Sequence, residues 1–335
     1  MADTIEKSFK DLFAEKHEEG EFNGVVLITQ NGKITYKGAF GISDIETEEE
    51  LTTKSIFNLA SVSKQLTAMC IMMLSEKGKL DYDDAITKYL TELPYDNITI
   101  RQLLHHTSGL APYEDVVEDF WKGDEDKDFV TNNDLLKMYA KEKPKSLFKP
   151  EEKYEYSNTG YAFLASIVER VSEMSFEDFI KENIFEPLDL SNAFAFRRPK
   201  KAPKKVVQGF TYEEEEYEDY SYNYLDGIVG DGNVFASAED LAAYAYALLE
   251  GKIVSEDTLK EAFTVATLKN GEETEYGFGW ELEGDAYVSH TGAWEGYNTY
   301  LGIDLEENRI IIVLDNGNHE DVHDITDEAM SEFYD

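Results

Sequence analysis

The 335-residue sequence predicts an α+β fold: an antiparallel sheet drawn from both chain ends, flanked by helices, with a mostly helical lobe inserted between its halves. Three observations predict it. Near the N-terminus, GVVLITQ (24–30) and KITYKGAF (33–40) read as strands on either side of Asn31-Gly32, a strong short hairpin signal. Strand patterns return only near the other end, at 276–282, 286–290, 297–305 and 309–315. Between them the chain reads as helices and long polar loops. These patterns predict one domain over 1–335, with 1–60 and 250–335 forming a sheet lobe and 61–249 a helical lobe.

The elements follow from apolar spacing. Ile5, Phe9, Leu12 and Phe13 make a helical stripe before the hairpin. Val62, Leu66, Met69 and Met73 recur at helical intervals, as do Tyr161, Leu164, Ile167 and Val168. A last helix is predicted over 321–333, and the chain has no internal repeats. The central basic block of Arg197, Arg198, Lys200, Lys201, Lys204 and Lys205 precedes an acidic, aromatic run over 212–224. This segment reads as a solvated loop whose charges partly cancel, with a cleft lined by its aromatics as the alternative.

Composition narrows the function. With 42% hydrophobic residues the chain can bury a large core. No run approaches the roughly 18 apolar residues of a membrane span. Residues 1–20 are charged and amphipathic, unlike a signal peptide. A complete chain would therefore be cytoplasmic, and one that has lost a leader periplasmic or extracellular. The single cysteine, Cys70, rules out an internal disulfide. A formal net charge of −39 argues against nucleic acid and predicts a solvated acidic surface, with salt tolerance as a sharper reading. It also slows anionic ligands unless the cleft is locally positive.

Ser61 and Lys64, three residues apart at the start of a predicted buried helix, carry the chemistry. At that spacing a hydroxyl and an amine share a helix face. The helix dipole favours the serine anion, and burial favours the neutral amine. Ser63 adjoins Lys64 but points elsewhere. A second S-x-x-K, Ser146 to Lys149, is followed by Pro150 and reads as loop. Tyr156-Ser157-Asn158 stands at a predicted helix entrance, where Tyr156 could shuttle a proton and Asn158 could bond both the lysine and a substrate amide. His290-Thr291-Gly292 ends a predicted strand, whose edge can pair with an extended substrate. The backbone N–H groups of Ser61 and Ala293 would form an oxyanion hole.

In this order, S-x-x-K, Y-x-N and [KH]-T-G resemble the serine β-lactamase and penicillin-binding-protein superfamily, in particular its class C-like branch. That branch holds class C β-lactamases, D-Ala-D-Ala carboxypeptidases, D-aminopeptidases and family VIII esterases. Three further stretches resemble family segments: 103–110 (LLHHTSGL), 230–241 (GDGNVFASAEDL) and 276–280 (YGFGW). The resemblance implies a β-lactamase/transpeptidase-like fold and an acyl-enzyme at Ser61. Lys64 and Tyr156 would move protons, and Asn158 would orient lysine and substrate. His290, Thr291 and Gly292 would lie along the substrate, with His290 and Thr291 at its carboxylate side. His105, His106 and Thr107 read as a supporting turn.

Two departures matter. His290 stands where β-lactamases of this class usually carry lysine, and Glu151 where the family often has glycine. A mostly neutral histidine holds a carboxylate less firmly, which favours a D-amino-acid peptidase or carboxylesterase over a class C-type β-lactamase. Two remoter alternatives are a non-catalytic binding protein and a zinc protease. The latter rests on His319-Glu320-Asp321-Val322-His323, an H-E-x-x-H match that follows Asn316-Gly317-Asn318, so that His319 would precede the helix. The expected partner is a D-amino-acid peptide, ester or β-lactam, and no metal or organic cofactor is called for.

Overall fold

In the computed structural model, which describes residues 2–213, 216–284, 286–319 and 322–334, Asn31 and Gly32 both adopt positive φ, at 51° and 71°. That is the backbone a tight two-residue hairpin needs. The hairpin joins β1 (Gly24–Gln30) to β2 (Lys33–Phe40). They belong to a six-stranded antiparallel sheet with β3 (Glu281–Glu283), β4 (Tyr287–Trp294), β5 (Tyr297–Asp304) and β6 (Arg309–Asp315), in the order β3-β4-β5-β6-β1-β2. Opposite ends of the chain meet where β1 pairs with β6, from Gly24 opposite Asp315 to Gln30 opposite Arg309.

Successive side chains of a strand point to opposite faces, and both faces here are covered. Five helices position the sheet and site: α1 (Ala2–Glu18), α2 (Ser63–Glu76), α3 (Asn158–Ser172), α4 (Ala238–Leu249) and α5 (Val322–Tyr334). Val26, Ile28, Ile311 and Val313 pack with Phe9 and Phe13 of α1 and Val322 and Ile325 of α5. Val25, Leu27, Ile312 and Leu314 enter the main core on the other face. There α4 lies against β1 and β6, and α2 lies against α3. Helix α2 is buried from Ser63 to Leu74, so its apolar residues form no single stripe. Cys70 is buried within it.

Several expectations are corrected. Residues 276–280 are not strand. Gly277 N–H bonds the Trp280 carbonyl at 2.8 Å, and Gly279 has φ +80° where a Cβ would sit 2.5 Å from the Gln65 Cα. The apolar run is a tight loop pressed onto α2, and strand begins only at Glu281. Strand β4 continues through His290-Thr291-Gly292 to Trp294, because every residue from Tyr287 to Trp294 has a partner on β5. The triplet is therefore mid-strand. Ser61 lies in a 3₁₀ turn (Ala60–Val62) just before α2, and not within the helix's first turn. The 212–224 run is overlapped by a pair of short strands, Phe210–Glu213 with Glu216–Asp219, between which Glu214 and Glu215 lie outside the described residues. The second S-x-x-K, over 146–149, is irregular, as read from Pro150.

The end of β6 is tied down by one acid. The fully buried Asp315 carboxylate accepts the Asn23 N–H at 2.9 Å and the Gly317 N–H at 2.9 Å, and meets His319 Nδ1 at 2.9 Å. Burial pushes the His319 pKa down, but its hydrogen bond to Asp315 and that residue's charge outweigh burial and raise it overall. Asp315→Ala is expected to cost about 3 kcal/mol in urea unfolding, because it strands buried donors. The part owed to charged His319 is complete below about pH 6.5 and is lost as pH rises through the raised value. His319→Gln should therefore destabilise more at pH 5.5 than at pH 8.5.

Candidate active site

The turn carrying Ser61 is held from two sides. The Leu59 N–H donates to the Val234 carbonyl at 2.9 Å on one side, and the Leu59 carbonyl accepts the Thr299 hydroxyl of β5 at 2.8 Å on the other. Gly292 of β4 packs so closely that a Cβ there would lie 3.0 Å from Ser61 N and 2.7 Å from Leu59 O. Only glycine lets the strand and the turn approach in this way. Ser63 is turned away, its hydroxyl accepting the Val234 N–H at 3.1 Å.

Lys64 is fully buried and makes no ion pair among the described residues. Its Nζ lies 2.9 Å from Ser61 Oγ and 2.8 Å from the Asp231 carbonyl, and 4.8 Å from the centre of the Tyr156 ring. Burial lowers its pKa to about 8, against the opposing pull of the Asp231 and Glu114 carboxylates. Tyr156 stands just before α3 with part of its ring exposed. Burial of its hydroxyl pushes the pKa well up, and the neighbouring Ser61 hydroxyl draws it back in part. The structure thus brings Ser61, Lys64 and Tyr156 together.

Asn158 does not bond Lys64. Its amide donates to Glu114 Oε1 at 2.8 Å, so the expected Asn–Lys contact is replaced by an Asn–Glu one. Beside it the Tyr113 hydroxyl donates to Asp231 Oδ2 at 2.7 Å. Burial raises the pKa of both Glu114 and Asp231, and neither has a cationic side chain within ion-pair distance among the described residues. A small pocket of about 50 Å³ is lined by Ser61, Asn158, Asp231, Ala293 and Trp294. Ser61 and Ala293, the expected oxyanion-hole pair, therefore face the same space.

His290 is placed differently from the expectation. It is buried under the site, with Nδ1 2.5 Å from the Thr291 carbonyl and Nε2 2.7 Å from the Tyr276 hydroxyl. A carbonyl only accepts, so Nδ1 carries the proton and Nε2 takes the one from Tyr276. Burial first and Lys64 second hold its pKa down at about 3. Both nitrogens are engaged and the ring is neutral, so it offers no cation to a substrate carboxylate. Thr291 is half-buried on the opposite face of the strand.

Tyr276, Glu114 and Tyr113 were not singled out from sequence. Tyr276 could have been found from the YGFGW motif, but Glu114 carries no local signal. His106, read as part of a supporting turn, is buried at φ 57°. Its Nδ1 accepts the Ser157 N–H at 3.0 Å, its carbonyl accepts Glu155 N–H at 3.0 Å, and its ring lies 4.3 Å from that of Tyr156. The two histidines of the zinc alternative do not share a helix face. His319 precedes α5 and binds Asp315, His323 Nε2 meets the Thr299 carbonyl at 3.0 Å, and Glu320 lies outside the described residues.

A family model described as Beta-lactamase matches residues 9–333. This chain belongs to the Beta-lactamase family. Within the wider serine β-lactamase and penicillin-binding-protein superfamily, it is 36% identical over 332 residues to Penicillin-binding protein 4* of Bacillus subtilis (strain 168), covering 94% of this chain and 73% of that one. The octameric penicillin-binding protein homologue from Pyrococcus abyssi has 27% identity and a TM-score of 0.81, over 97% of this chain and 76% of that one. The D-amino acid amidase from Ochrobactrum anthropi SV3, at 19% identity and a TM-score of 0.80 over 99% of each chain, shares the fold. The chain is a serine hydrolase of this superfamily. No helix among the described residues is long and apolar enough to cross a membrane.

The hold of His106 on the Tyr156 segment can be measured. His106→Leu leaves the Ser157 N–H without its acceptor and should cost about 1–3 kcal/mol in urea unfolding. His106→Asn, which keeps an acceptor near the Nδ1 position, should recover much of that loss.

Proposed function

We propose that the chain hydrolyses an amide or ester through a covalent acyl-enzyme at Ser61, as a D-amino-acid peptidase or carboxylesterase working as one catalytic domain of two lobes. One observation carries the reading: a buried lysine with its pKa lowered to about 8, 2.9 Å from a serine hydroxyl. Neutral Lys64 takes the Ser61 proton as Oγ attacks the carbonyl carbon. The oxygen anion that forms is stabilised by the N–H groups of Ser61 and Ala293. As the C–N or C–O bond breaks, Tyr156 passes a proton from Lys64 to the leaving group. Water then cleaves the Ser61 ester by the same proton route in reverse. Asn158, its amide donating to Glu114, keeps its carbonyl oxygen for a substrate N–H. Thr291 and Gly292 lie where an extended substrate would run along β4.

The charges beside Ser61 favour a substrate with a free amine near the scissile carbonyl. Among the described residues Glu114 and Asp231 form no ion pair, Lys64 acting on both only at longer range, and an ammonium group would relieve the cost of burying them. Neutral, fully bonded His290 weakens the β-lactamase alternative, since a β-lactam brings a carboxylate to this region.

Two outcomes are expected. The rate at which an uncharged fluorophosphonate labels Ser61 should rise about tenfold per pH unit below pH 8 and level off above it, as Lys64 loses its proton. An unchanged rate in Lys64→Met would overturn that assignment. D-Alanine p-nitroanilide should be cleaved with kcat/KM at least about tenfold above its N-acetyl derivative, and Glu114→Gln should reduce only the former. Equal rates would remove the amine preference.

A further inference from the structure

The pocket at Ser61 is small, but it borders a much larger one. A cavity of about 490 Å³ shares Asn233 and Trp294 with it as common walls. The dividing indole is fixed, its Nε1 donating to Asp226 Oδ1 at 2.9 Å. A substrate larger than one amino acid has this space to extend into.

The lining of that cavity runs against the composition of the chain. With 70 acidic residues against 31 basic ones, an acidic wall is the default, yet Arg198, Lys200 and Lys201 face Asp226 alone. Asp226 is taken up by Arg198 at 3.2 Å and by Trp294. Lys200 reaches Glu177 at 3.1 Å with its side chain 65% exposed, where a pair contributes little. Lys201 makes no ion pair or hydrogen bond among the described residues.

The rest of the basic block is used elsewhere. Arg197 binds Glu169 and Glu177, Lys204 the Ser191 carbonyl, and Lys205 Glu49 and Asp44. Among the described residues, the acids that pair with Arg197 and Lys205 come from distant parts of the chain. Lys201, without an acid among the described residues, and Lys200, weakly paired at the surface, both stand at the cavity. A cation in a walled cleft acts further than one on open surface, and local positive potential is what an anion needs to approach so acidic a protein. Phe196, Phe235 and Tyr297 supply apolar walls for the carbon skeleton that carries the charge.

We propose that this cavity is a second substrate subsite, taking an acidic group, carboxylate or phosphate, on the part of the substrate remote from the scissile bond. Lys201 and Lys200 supply the charge, and Trp294 separates the group from the reacting carbonyl. The inference rests on the acyl-enzyme reading above, and adds that the substrate is amine-bearing near the bond and acidic further out.

The test follows fluorophosphonate labelling of Ser61 on the full chain, protected by N-acetyl-Gly-Glu, N-acetyl-Gly-O-phosphoserine or neutral N-acetyl-Gly-Gln-amide. At least one acidic peptide should protect at about tenfold lower concentration than the neutral one, and high salt should shrink the difference. Whichever acid is the stronger identifies the group. The double variant K200A/K201A should abolish the preference while leaving the labelling rate without peptide unchanged. Equal protection by acidic and neutral peptides, no protection by any, or a preference that survives K200A/K201A would overturn the subsite and leave the acyl-enzyme reading intact. Failure of Ser61 to label at all, in a protein whose circular dichroism is that of a folded chain, would overturn that reading and the subsite with it.

Discussion

The arrangement around Ser61 depends on burying an amine without pairing it directly to an acid. A lysine sealed from water and salt-bridged would stay charged, and one sealed with no partner would cost the fold several kcal/mol. Here Lys64 has a backbone carbonyl, that of Asp231, and a serine hydroxyl. The carbonyl is delivered by a segment with its own demands. Gly230 sits at φ +112°, where a Cβ would meet the Tyr161 carbonyl at 2.4 Å, and its carbonyl is fixed by the Thr67 hydroxyl at 2.7 Å. On the other side Gly279 lets its loop press onto the backbone of Gln65. Two separate stretches of chain thus close over the part of α2 that carries the amine.

The same logic explains His290. In the interior a histidine is cheap when neutral and bonded at both nitrogens, and Tyr276 and the Thr291 carbonyl provide that. The price is that the ring cannot also act as a counter-ion. Asp231 lines the pocket instead, with Glu114 behind Asn158, and these acids underlie the proposal that the site takes a cation and not an anion.

Local patterns in the sequence were good guides wherever the physics was local. Strands β1 and β2 and their turn follow from alternation and Asn31-Gly32, and the pairing of Ser61 with Lys64 follows from one turn's spacing. The expectation failed where tertiary contact decided the backbone. Residues 276–280 have strand composition but are folded into a loop by contact with α2, and β4 runs past His290 because β5 offers it partners. Asn158 was recognisable as a site residue, yet its bond to Glu114 crosses 44 residues and leaves no trace in spacing. The basic block was visible as a charge run, but which of its members lack an acid depends on Glu169, Glu177, Glu49 and Asp44, brought in by the fold.

The sheet has a further consequence, for the order in which the molecule is made. Strand β1 needs β6, and the bond between Asn23 and Asp315 spans 292 positions, while the turn before Ser61 leans on Thr299, 240 positions later. Contacts that remote close late, since the whole intervening chain must be present before they repay its lost entropy. During synthesis Ser61 and Lys64 emerge long before Ala293, on the strand that would complete the proposed oxyanion site. Until then a nascent chain carries Ser61 without the second N–H group proposed to stabilise its reaction. Under the proposed mechanism, activity is itself a report that the two halves of the sheet have met.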